Sequence, residues 1–400
     1  MHILIISTYG FDPHFPSRPE FLLARTLAAL GHRVSAVEYH HNPKQPRQES
    51  YSENLTIYRC GTFGFFSRDL WQLAQTLPTP DIVHVHHLRH LLAFQAQIHW
   101  RKKVPMVLTP HGILHDGDLV VDRERPLEHP LRPERLLITG AQLRAAIMRG
   151  AHPRRSVRNY LIHAPLHGYH GIMALSQHEK EVLVGLHVPA AQITVVPNAV
   201  ELQQYIDAPS RPRHAQPTIL FIGQLVPRKG WDLAVRALPL IAASIPDIRM
   251  VMVTHNTSQQ SEFAALANSL GVTARITLLT SVDEAQKIQL LHSAHLLLAP
   301  SRYEGFGIPP IEAMAAHCPV VTTDCAAGNE IVHHEKTGLL VAYDDVAGYA
   351  AAAVRILQDD TLRKQLVQAG YDHVMQDYTP ITVANQSLRY YQQRIAEFHK

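Results

Sequence analysis

The chain has 400 residues, of which 46% are hydrophobic and 18% are charged. This composition is typical of an ordinary globular protein, and the length suits two domains of about 150–200 residues better than one compact core. The formal net charge of +3 is small for so long a chain, so it gives no indication of a nucleic-acid partner.

The first predicted elements are a strand and a helix. HILIIS (2–7) is a short apolar run, typical of a parallel strand that is buried on both faces. It lacks the basic n-region and the small-residue cleavage site of a signal peptide. In the helix that follows, Ser17 and Glu20 fit a capping box, Pro19 suits the first turn, and Gly31 is expected to end the helix.

The same alternation of strand and helix continues along the chain. DIVHVH (81–86) and PMVLTPHG (105–112) predict two more strands, with a helix of about a dozen residues between them. A second series begins near residue 218: TILFIG, a helix at 230–244, IRMVMV, a helix at 258–270, ITLLT, a helix at 283–294, HLLLAPS, a helix at 309–317, and PVVTTD. Each series predicts a parallel sheet with crossover helices.

The domain organisation follows from these two series. The proline-rich polar segment IDAPSRPRHAQP (206–217) suits a linker. We therefore predict an α/β protein with two doubly wound domains, at 1–200 and 218–378. A C-terminal helix is predicted at 379–400, and it is a candidate to pack against the first domain. Two such domains predict a cleft, with functional residues at the carboxyl ends of the strands.

Three cysteines, Cys60, Cys318 and Cys325, form neither a CxxC pair nor a zinc-binding spacing. We therefore expect a reducing compartment without a disulfide framework. No run of about 18 apolar residues predicts a transmembrane helix. These features together predict a cytoplasmic protein.

The densest motif is PSRYEGFGIPPIEAMAAHCPVV (300–321). Glu304 follows a predicted strand in a glycine-containing loop, whereas Pro309 and Glu312 are expected in the first turn of the next helix. Such a loop offers free backbone N–H groups and the positive end of a helix dipole, which together bind anions such as a diphosphate. The carboxylate in the first helical turn, Glu312, suits a ribose diol. The carboxylate in the loop, Glu304, suits sugar hydroxyls. Capping acids on a surface loop have the same pattern, so these residues alone leave both interpretations open.

A histidine-rich stretch, IVHVHHLRH (82–90), suggests a second site. His84 and His86 are two residues apart on a predicted strand, so their side chains face the same side. His87 and His90 follow as the next helix begins. A strand pair and a loop histidine could bind zinc, but Asp81, at the far end of the strand, is the one carboxylate nearby. Zinc binding, a polar lining of the cleft and plain structural histidines all remain open.

The two glutamates, seven residues apart in EGFGIPPIEAMA and followed by PVVTTD, resemble the signature of family 4 retaining glycosyltransferases (glycosyl transferases group 1). Further matching segments occur in the expected order: LAALGHRV (27–34), DIVHVH (81–86), LTPHG (108–112), ALSQHEKEVL (174–183), VVPNAVE (195–201), FIGQLVPRKG (221–230) and GNEIV (328–332). The resemblance covers nearly the whole chain. It implies the GT-B fold, with an acceptor-binding N-terminal domain and a nucleotide-sugar-binding C-terminal domain that face a central cleft.

The resemblance implies a retaining transferase of polysaccharide biosynthesis that moves a hexose from a UDP- or GDP-sugar to a hydroxyl of a glycan, lipid-linked or small-molecule acceptor. No metal or other cofactor is expected. A sugar-nucleotide epimerase, a phosphorylase and a non-catalytic nucleotide-sugar-binding relative are the alternatives. A dinucleotide oxidoreductase is disfavoured because STYGFDPHF, after the first strand, contains no G-x-G-x-x-G.

The resemblance also implies roles for individual residues. Lys229 matches the lysine that binds the donor diphosphate, Glu304 matches the acid that contacts the transferred sugar, and His111 matches the active-site histidine. The implied donor-binding residues are Gln224, Arg228, Thr280, Ser281, Val282, Gly305, Phe306, Gly307, Ile308 and Glu312, the last on the ribose. On the acceptor side the implied residues are His84, His86 and His87.

Three departures from the family pattern affect the donor site. The first loop, YGFDPHFPSRPE, lacks the paired glycines that many members have near the donor phosphates. Gln224 is neutral where the family usually has an arginine, and Arg228 is the candidate to replace that cation. The usual glycine-rich turn after the next strand is replaced by THN (254–256).

Residues 132–158 predict a membrane-surface element. They contain seven arginines (132, 135, 144, 149, 154, 155 and 158) and the single acid Glu134, with Leu136, Leu137, Leu143, Ile147 and Met148 at roughly helical spacing. A basic amphipathic helix is typical of peripheral contact with anionic lipid, here at the inner membrane face. The alternative is that the apolar stripe packs on the first sheet and the arginines are solvated or bind an anionic acceptor.

Overall fold

The computed structural model describes residues 1–13, 17–61, 66–88, 90–112, 137–208, 213–325 and 327–400. These residues form two compact units. The first contains the described residues between 1 and 199 together with Pro380–Lys400, and the second contains Val200–Thr379. Within the predicted linker 206–217, residues 209–212 lie outside the described residues.

The first unit contains an eight-stranded sheet. Its strands are β1 (His2–Ile6), β2 (Arg33–Tyr39), β3 (Gln48–Ser52), β4 (Leu55–Cys60), β5 (Ile82–His86), β6 (Met106–Thr109), β7 (Gly171–Ala174) and β8 (Ile193–Val195). Their spatial order is β3-β4-β2-β1-β5-β6-β7-β8. All neighbouring strands are parallel except β3, which pairs antiparallel with β4. The strand order reverses between β1 and β5, so the loops after these two strands flank the topological switch point, where α/β sheets bind ligands.

The second unit contains a six-stranded parallel sheet. Its strands are β9 (Thr218–Ile222), β10 (Arg249–Val253), β11 (Ile276–Leu279), β12 (Leu296–Ala299), β13 (Val320–Thr323) and β14 (Leu339–Val341). Their spatial order is β11-β10-β9-β12-β13-β14. The switch point therefore lies between β9 and β12, and the loops after these strands are the natural place for a ligand.

Helices connect the strands in both units. They are α1 (Pro19–Ala29), α2 (Arg68–Thr76), α3 (Leu91–Trp100), α4 (Gly140–Met148), α5 (Pro153–His163), α6 (Gln177–Gly185), α7 (Gln203–Ile206), α8 (Trp231–Ser244), α9 (Gln260–Ser269), α10 (Glu284–Ser293), α11 (Ile308–Ala315), α12 (Gly328–Ile331), α13 (Val346–Gln358), α14 (Asp360–Asp377) and α15 (Pro380–Phe398). The predicted α/β class, with parallel sheets and crossover helices, is confirmed.

The first sheet is buried on both faces. Ile3 and Ile5 of β1 pack into one hydrophobic cluster, and Leu4 and Ile6 pack into the other. All four side chains are fully buried, which explains why this strand is a continuous apolar run and not an alternating one. The last helix, α15, adds Tyr391 to the cluster of Ile3 and Ile5.

The predicted membrane element differs from the expected single helix. Gly150, at φ +88°, and Pro153, in the first turn of α5, separate two short helices, α4 and α5, because glycine favours a left-handed helix end and proline a helix start. Residues 132–136 of this segment lie outside the described residues. Among the described helices, none combines the length and the hydropathy that a membrane crossing requires.

Candidate active site

In the second unit, the loop after β9 contacts the end of β12. A 3₁₀ turn, Pro227–Lys229, leads into Gly230, which has a left-handed φ of +64°. A Cβ atom at Gly230 would lie 1.8 Å from the carbonyl oxygen of Pro300, so only glycine permits this approach. This close packing places Lys229, in the loop after β9, next to the loop that follows β12.

The carboxylate of Glu304 accepts hydrogen bonds where these two loops meet. It receives them from Lys229 Nζ, at 2.5 Å, and from Ser301 Oγ, at 2.8 Å, and Arg228 Nη1 lies 4.0 Å away. Burial alone would raise the pKa of Glu304, but the charge and hydrogen bond of Lys229, with a smaller contribution from Arg228, lower it below its usual range. The carboxylate is therefore ionised at neutral pH, and the three predicted residues form one charged cluster.

Arg302 connects the two loops that hold this cluster. Its guanidinium makes a bidentate pair with Asp232 at 2.7 and 2.8 Å, and it also donates to Asp344 at 2.7 Å and to the Pro227 carbonyl at 2.8 Å. Its backbone N–H donates to the carbonyl of Arg228. Both loops are thus held by one guanidinium whose fork geometry suits this role.

Glu312 does not lie in the first turn of its helix, as expected. The left-handed Gly307, at φ +102°, is the N-cap, so α11 begins at Ile308 and Glu312 is its fifth residue. The buried carboxylate of Glu312 instead accepts a hydrogen bond of 2.7 Å from Lys287, which also pairs with Glu284 at 2.9 Å. Although burial lowers the pKa of a lysine, these two glutamates raise the pKa of Lys287.

A cavity of about 540 Å³ lies at the carboxyl ends of the second sheet's strands. It is lined by Ile222, Gly223, Gln224, Arg228, Lys229, Val253, Thr254, His255, Thr280, Ser281, Val282, Lys287 and Pro309. Six of the predicted donor-site residues are in this lining. Glu304 and Glu312 each contact a lysine that lines the cavity, whereas Gly305, Phe306, Gly307 and Ile308 do not border it.

Phe306 is buried, and its ring packs edge-on against Tyr378 with the centroids 5.9 Å apart. Its side chain therefore anchors the loop, which leaves only its backbone available to a ligand.

Lys287 and His255 are among the residues of this cavity that sequence reasoning did not assign to the donor site. Lys287 lies on α10 and carries no motif signal. His255, in the unusual THN turn, makes a contact of 2.9 Å with Gln224. A histidine thus lies beside the glutamine that replaces the family's arginine.

In the first unit, His84 and His86 of β5 face the same side, as predicted, with ring centroids 4.1 Å apart. Both ring nitrogens of His84 have partners: Thr109 Oγ1 at 2.8 Å and the Tyr391 hydroxyl at 2.6 Å. Burial lowers the pKa of His84 to about 3, so its ring is neutral. His84 therefore links the first sheet to α15.

His86 continues the network toward His111. The His86 Nδ1 atom lies 2.7 Å from His111 Nε2. Burial, reinforced by neighbouring histidines, lowers the pKa of both rings well below the usual value. The loop of His111 is held by Glu179 on α6, which accepts a 2.8 Å hydrogen bond from the backbone N–H of Gly112.

Glu20 is the residue that sequence reasoning misplaced. The predicted capping box with Ser17 is wrong, because Arg18 is the N-cap of α1 and its side chain makes no capping bond. The Glu20 carboxylate is buried and lies 2.8 Å from His87 Nε2 and 3.8 Å from His111 Nε2. Burial opposes its ionisation, but the hydrogen bond from His87 and the nearby rings of His111 and His87 together outweigh this effect and lower the pKa of Glu20. A carboxylate from α1 thus joins the histidine cluster.

Comparisons with known proteins agree with this architecture. A family model described as "Glycosyltransferase Family 4" matches residues 21–204, and one described as "Glycosyl transferases group 1" matches residues 203–373. Phosphatidyl-myo-inositol mannosyltransferase of Mycolicibacterium smegmatis is 35% identical over 202 residues, which cover 49% of this chain and 51% of that protein. The match thus spans about half the length of this curated relative.

Solved structures are similar over almost the whole chain. Sucrose-phosphate synthase from Thermosynechococcus elongatus has a TM-score of 0.71 at 21% identity and covers 99% of this chain and 100% of its own. Anabaena HepE in complex with UDP and glucose has a TM-score of 0.68 at 16% identity and covers 98% of this chain and 100% of its own. At such identities the likeness establishes the GT-B fold. Because the two family models adjoin and together match residues 21–373, the chain belongs to the family 4, or group 1, glycosyltransferases.

Proposed function

We propose that this protein is a retaining glycosyltransferase that moves a hexose from a UDP- or GDP-sugar to a hydroxyl group of a glycan, lipid-linked or small-molecule acceptor. The observation that carries the proposal is the cationic cavity of the second unit, in which Lys229 and Arg228 lie beside the ionised Glu304. The membership of the chain in the family and the UDP bound to the similar HepE structure support the same assignment.

The donor site binds the diphosphate through positive charge. Lys229 and Arg228 line the cavity, and charge-assisted hydrogen bonds from such groups to phosphate are strong. Thr280, Ser281 and Val282 line the same cavity and are assigned to the nucleobase, and Glu312, which Lys287 orients, is assigned to the ribose. The proposal includes no metal ion for the donor, because these side chains supply the positive charge.

Transfer breaks the bond between the anomeric carbon and the diphosphate oxygen and forms a bond from the same carbon to the acceptor oxygen. In the proposed mechanism, the acceptor oxygen attacks the same face of the sugar that the diphosphate leaves, so the anomeric configuration is retained. The departing phosphate oxygen takes the proton of the acceptor hydroxyl. Lys229 stabilises the charge that develops on this oxygen. Glu304 and His111 position the transferred sugar.

The acceptor side is assigned to the histidines of the first unit. His84 and His86 are buried, whereas the side chain of His87 is 26% exposed. Direct contact with the acceptor is therefore assigned to His87, and His84 and His86 are assigned to support of the cluster.

A thermal-shift screen with UDP, GDP, ADP and their sugars tests the donor site. A ligand at one hundred times its Kd stabilises the folded state by about 2.7 kcal/mol, which raises the melting temperature by several degrees. We expect one nucleotide series to produce this shift. The absence of any shift would contradict the donor site, and epimerisation of the donor without an acceptor, observed by NMR, would contradict transfer.

We also propose that α4 and α5 contact an anionic membrane surface. On α4 no side chain is buried, and Met148 is 87% exposed. A cavity of about 840 Å³ on α5 is lined by Arg154, Arg155 and Arg158 together with His152, Pro153, Val157 and Leu161. Apolar surface beside clustered arginines suits the interface of an anionic bilayer.

Sedimentation with lipid vesicles measures this contact. Each basic residue near an anionic surface contributes about 1 kcal/mol, so replacing Arg154, Arg155 and Arg158 together by glutamine should weaken binding about 100-fold. Vesicles of phosphatidylcholine alone are the control and should bind poorly. If wild type binds neutral and phosphatidylglycerol-containing vesicles equally, or binds neither, the membrane assignment is wrong.

A further inference from the structure

Three side chains from three separate elements converge in the first unit: Glu20 on α1, His87 after β5 and His111 after β6. One ligand atom from each lies within 4.8 Å of the others. We propose that this cluster binds a single divalent transition-metal ion, with zinc as the preferred ion.

The spacing of the cluster suits the ligand distances of zinc. In a tetrahedral site with bonds of about 2.0–2.1 Å, neighbouring ligand atoms lie about 3.3 Å apart. The distances from Glu20 Oε1 to His87 Nε2 and to His111 Nε2 are 2.8 and 3.8 Å, one on each side of this value. Ring movements that bring all three ligand atoms, which now lie within 4.8 Å of one another, to this separation place them around one ion.

The chemistry of the three groups also suits zinc. Two imidazoles and one carboxylate are the ligand set of several zinc enzymes, with a fourth position left for water. Glu20 is 3% exposed, and its second oxygen, Oε2, is buried and has no hydrogen-bond partner among the described residues. An ionised oxygen that is both buried and unpaired is costly, and coordination of a cation removes that cost.

A fourth histidine, His86, contacts the cluster through His111. The His111 nitrogen that lies toward Glu20, Nε2, also lies 2.7 Å from His86 Nδ1, so coordination of the ion replaces this contact. The other ring nitrogen of His86, Nε2, is buried and has no partner within the part of the chain that the structure describes.

The backbone is also unusual where the two histidines lie. His87 and His111 have left-handed φ values of +66° and +56°, which are uncommon for residues other than glycine. Such conformations occur at functional sites, where the surrounding structure enforces them. Here the His87 N–H donates to the Thr109 carbonyl at 2.9 Å, which holds the turn.

Metal binding has a consequence for the proposed function. An ion held by His111 prevents that residue from positioning the sugar, so zinc should inhibit transfer reversibly. This consequence rests on the proposed glycosyltransferase activity, but the binding of the ion does not.

The test is a titration of the full chain after a chelator has removed bound metal. Cobalt(II) serves as the probe because its visible absorption reports tetrahedral coordination, and Zn²⁺ should abolish the signal at one equivalent. Glu20→Gln and His87→Asn should each weaken binding at least tenfold. Asparagine suits position 87 because it tolerates a left-handed backbone. His187→Asn is the matched control, since His187 also has a left-handed φ, of +64°, and lies outside the cluster; it should bind as wild type does.

The control matters because the chain has 28 histidines, and some can bind metal adventitiously. The proposal is wrong if wild type shows no saturable binding, or if Glu20→Gln and His87→Asn bind as tightly as wild type. Circular dichroism in the presence of chelator checks that each variant is folded, and either folded variant suffices for the comparison. A nucleotide-induced thermal shift without metal binding would overturn this inference alone and leave the proposed donor site intact.

Discussion

Replacement of Glu304 by glutamine is expected to lower turnover by about 100-fold or more while the affinity for the nucleotide diphosphate changes little. The glutamine keeps the shape of the side chain and a hydrogen bond to Ser301, but it removes the negative charge that is paired with Lys229 and assigned to the sugar. The rate of nucleotide diphosphate release from the donor sugar, with water or an acceptor, measures turnover. Isothermal titration with the free diphosphate measures affinity.

Glu335 provides the control for this experiment. It is an exposed glutamate of the same unit that pairs with Arg355, so Glu335→Gln should leave both quantities unchanged. An equal loss of turnover and of diphosphate affinity in Glu304→Gln would show that Glu304 acts on the nucleotide and not on the sugar.

Replacement of Lys229 by alanine is expected to weaken nucleotide diphosphate binding by about 10- to 100-fold, the range that corresponds to a hydrogen bond to a charged group. Loss of the ammonium group also leaves Glu304 ionised without its nearest partner, which repels a diphosphate. The nucleoside without phosphates should bind this variant as it binds wild type. Titration calorimetry with both ligands measures the difference.

Lys364→Ala is the matched control, because Lys364 is an exposed lysine on α14 of the same unit. If Lys229→Ala loses nucleoside and diphosphate affinity to the same degree, then Lys229 shapes the cavity and does not bind phosphate.

Much of the fold was predictable because the signals are local. The apolar runs of β1 and β9, the glycines that end helices and the prolines that begin them each depend on a few neighbouring residues. The β3–β4 hairpin was not predicted, because the exposed strand Gln48–Ser52 has no apolar pattern. The separation of α4 from α5 at Gly150 was also missed, since the basic amphipathic pattern runs through the break.

The candidate site was predictable only in part. Lys229, Glu304 and Glu312 follow from motifs, but Lys287 was missed because its role depends on Glu312, which reaches it from another helix. Glu20 was assigned to a helix cap, a local role that its sequence neighbours favour. In the structure its carboxylate contacts His87, which is 67 residues away along the chain.

The amino-acid sequence by itself determined the alternation of buried strands and helices, the two series of parallel strands, and the identity of the charged residues that follow β9 and β12. These properties depend on periodicity and on short-range backbone preferences. Only the tertiary structure decided which charges meet: Lys229 with Glu304, Lys287 with Glu312, and Glu20 with His87. The physical reason is that a buried ionised group must find its partner in space, and the order of strands in a sheet brings together loops that are distant along the chain.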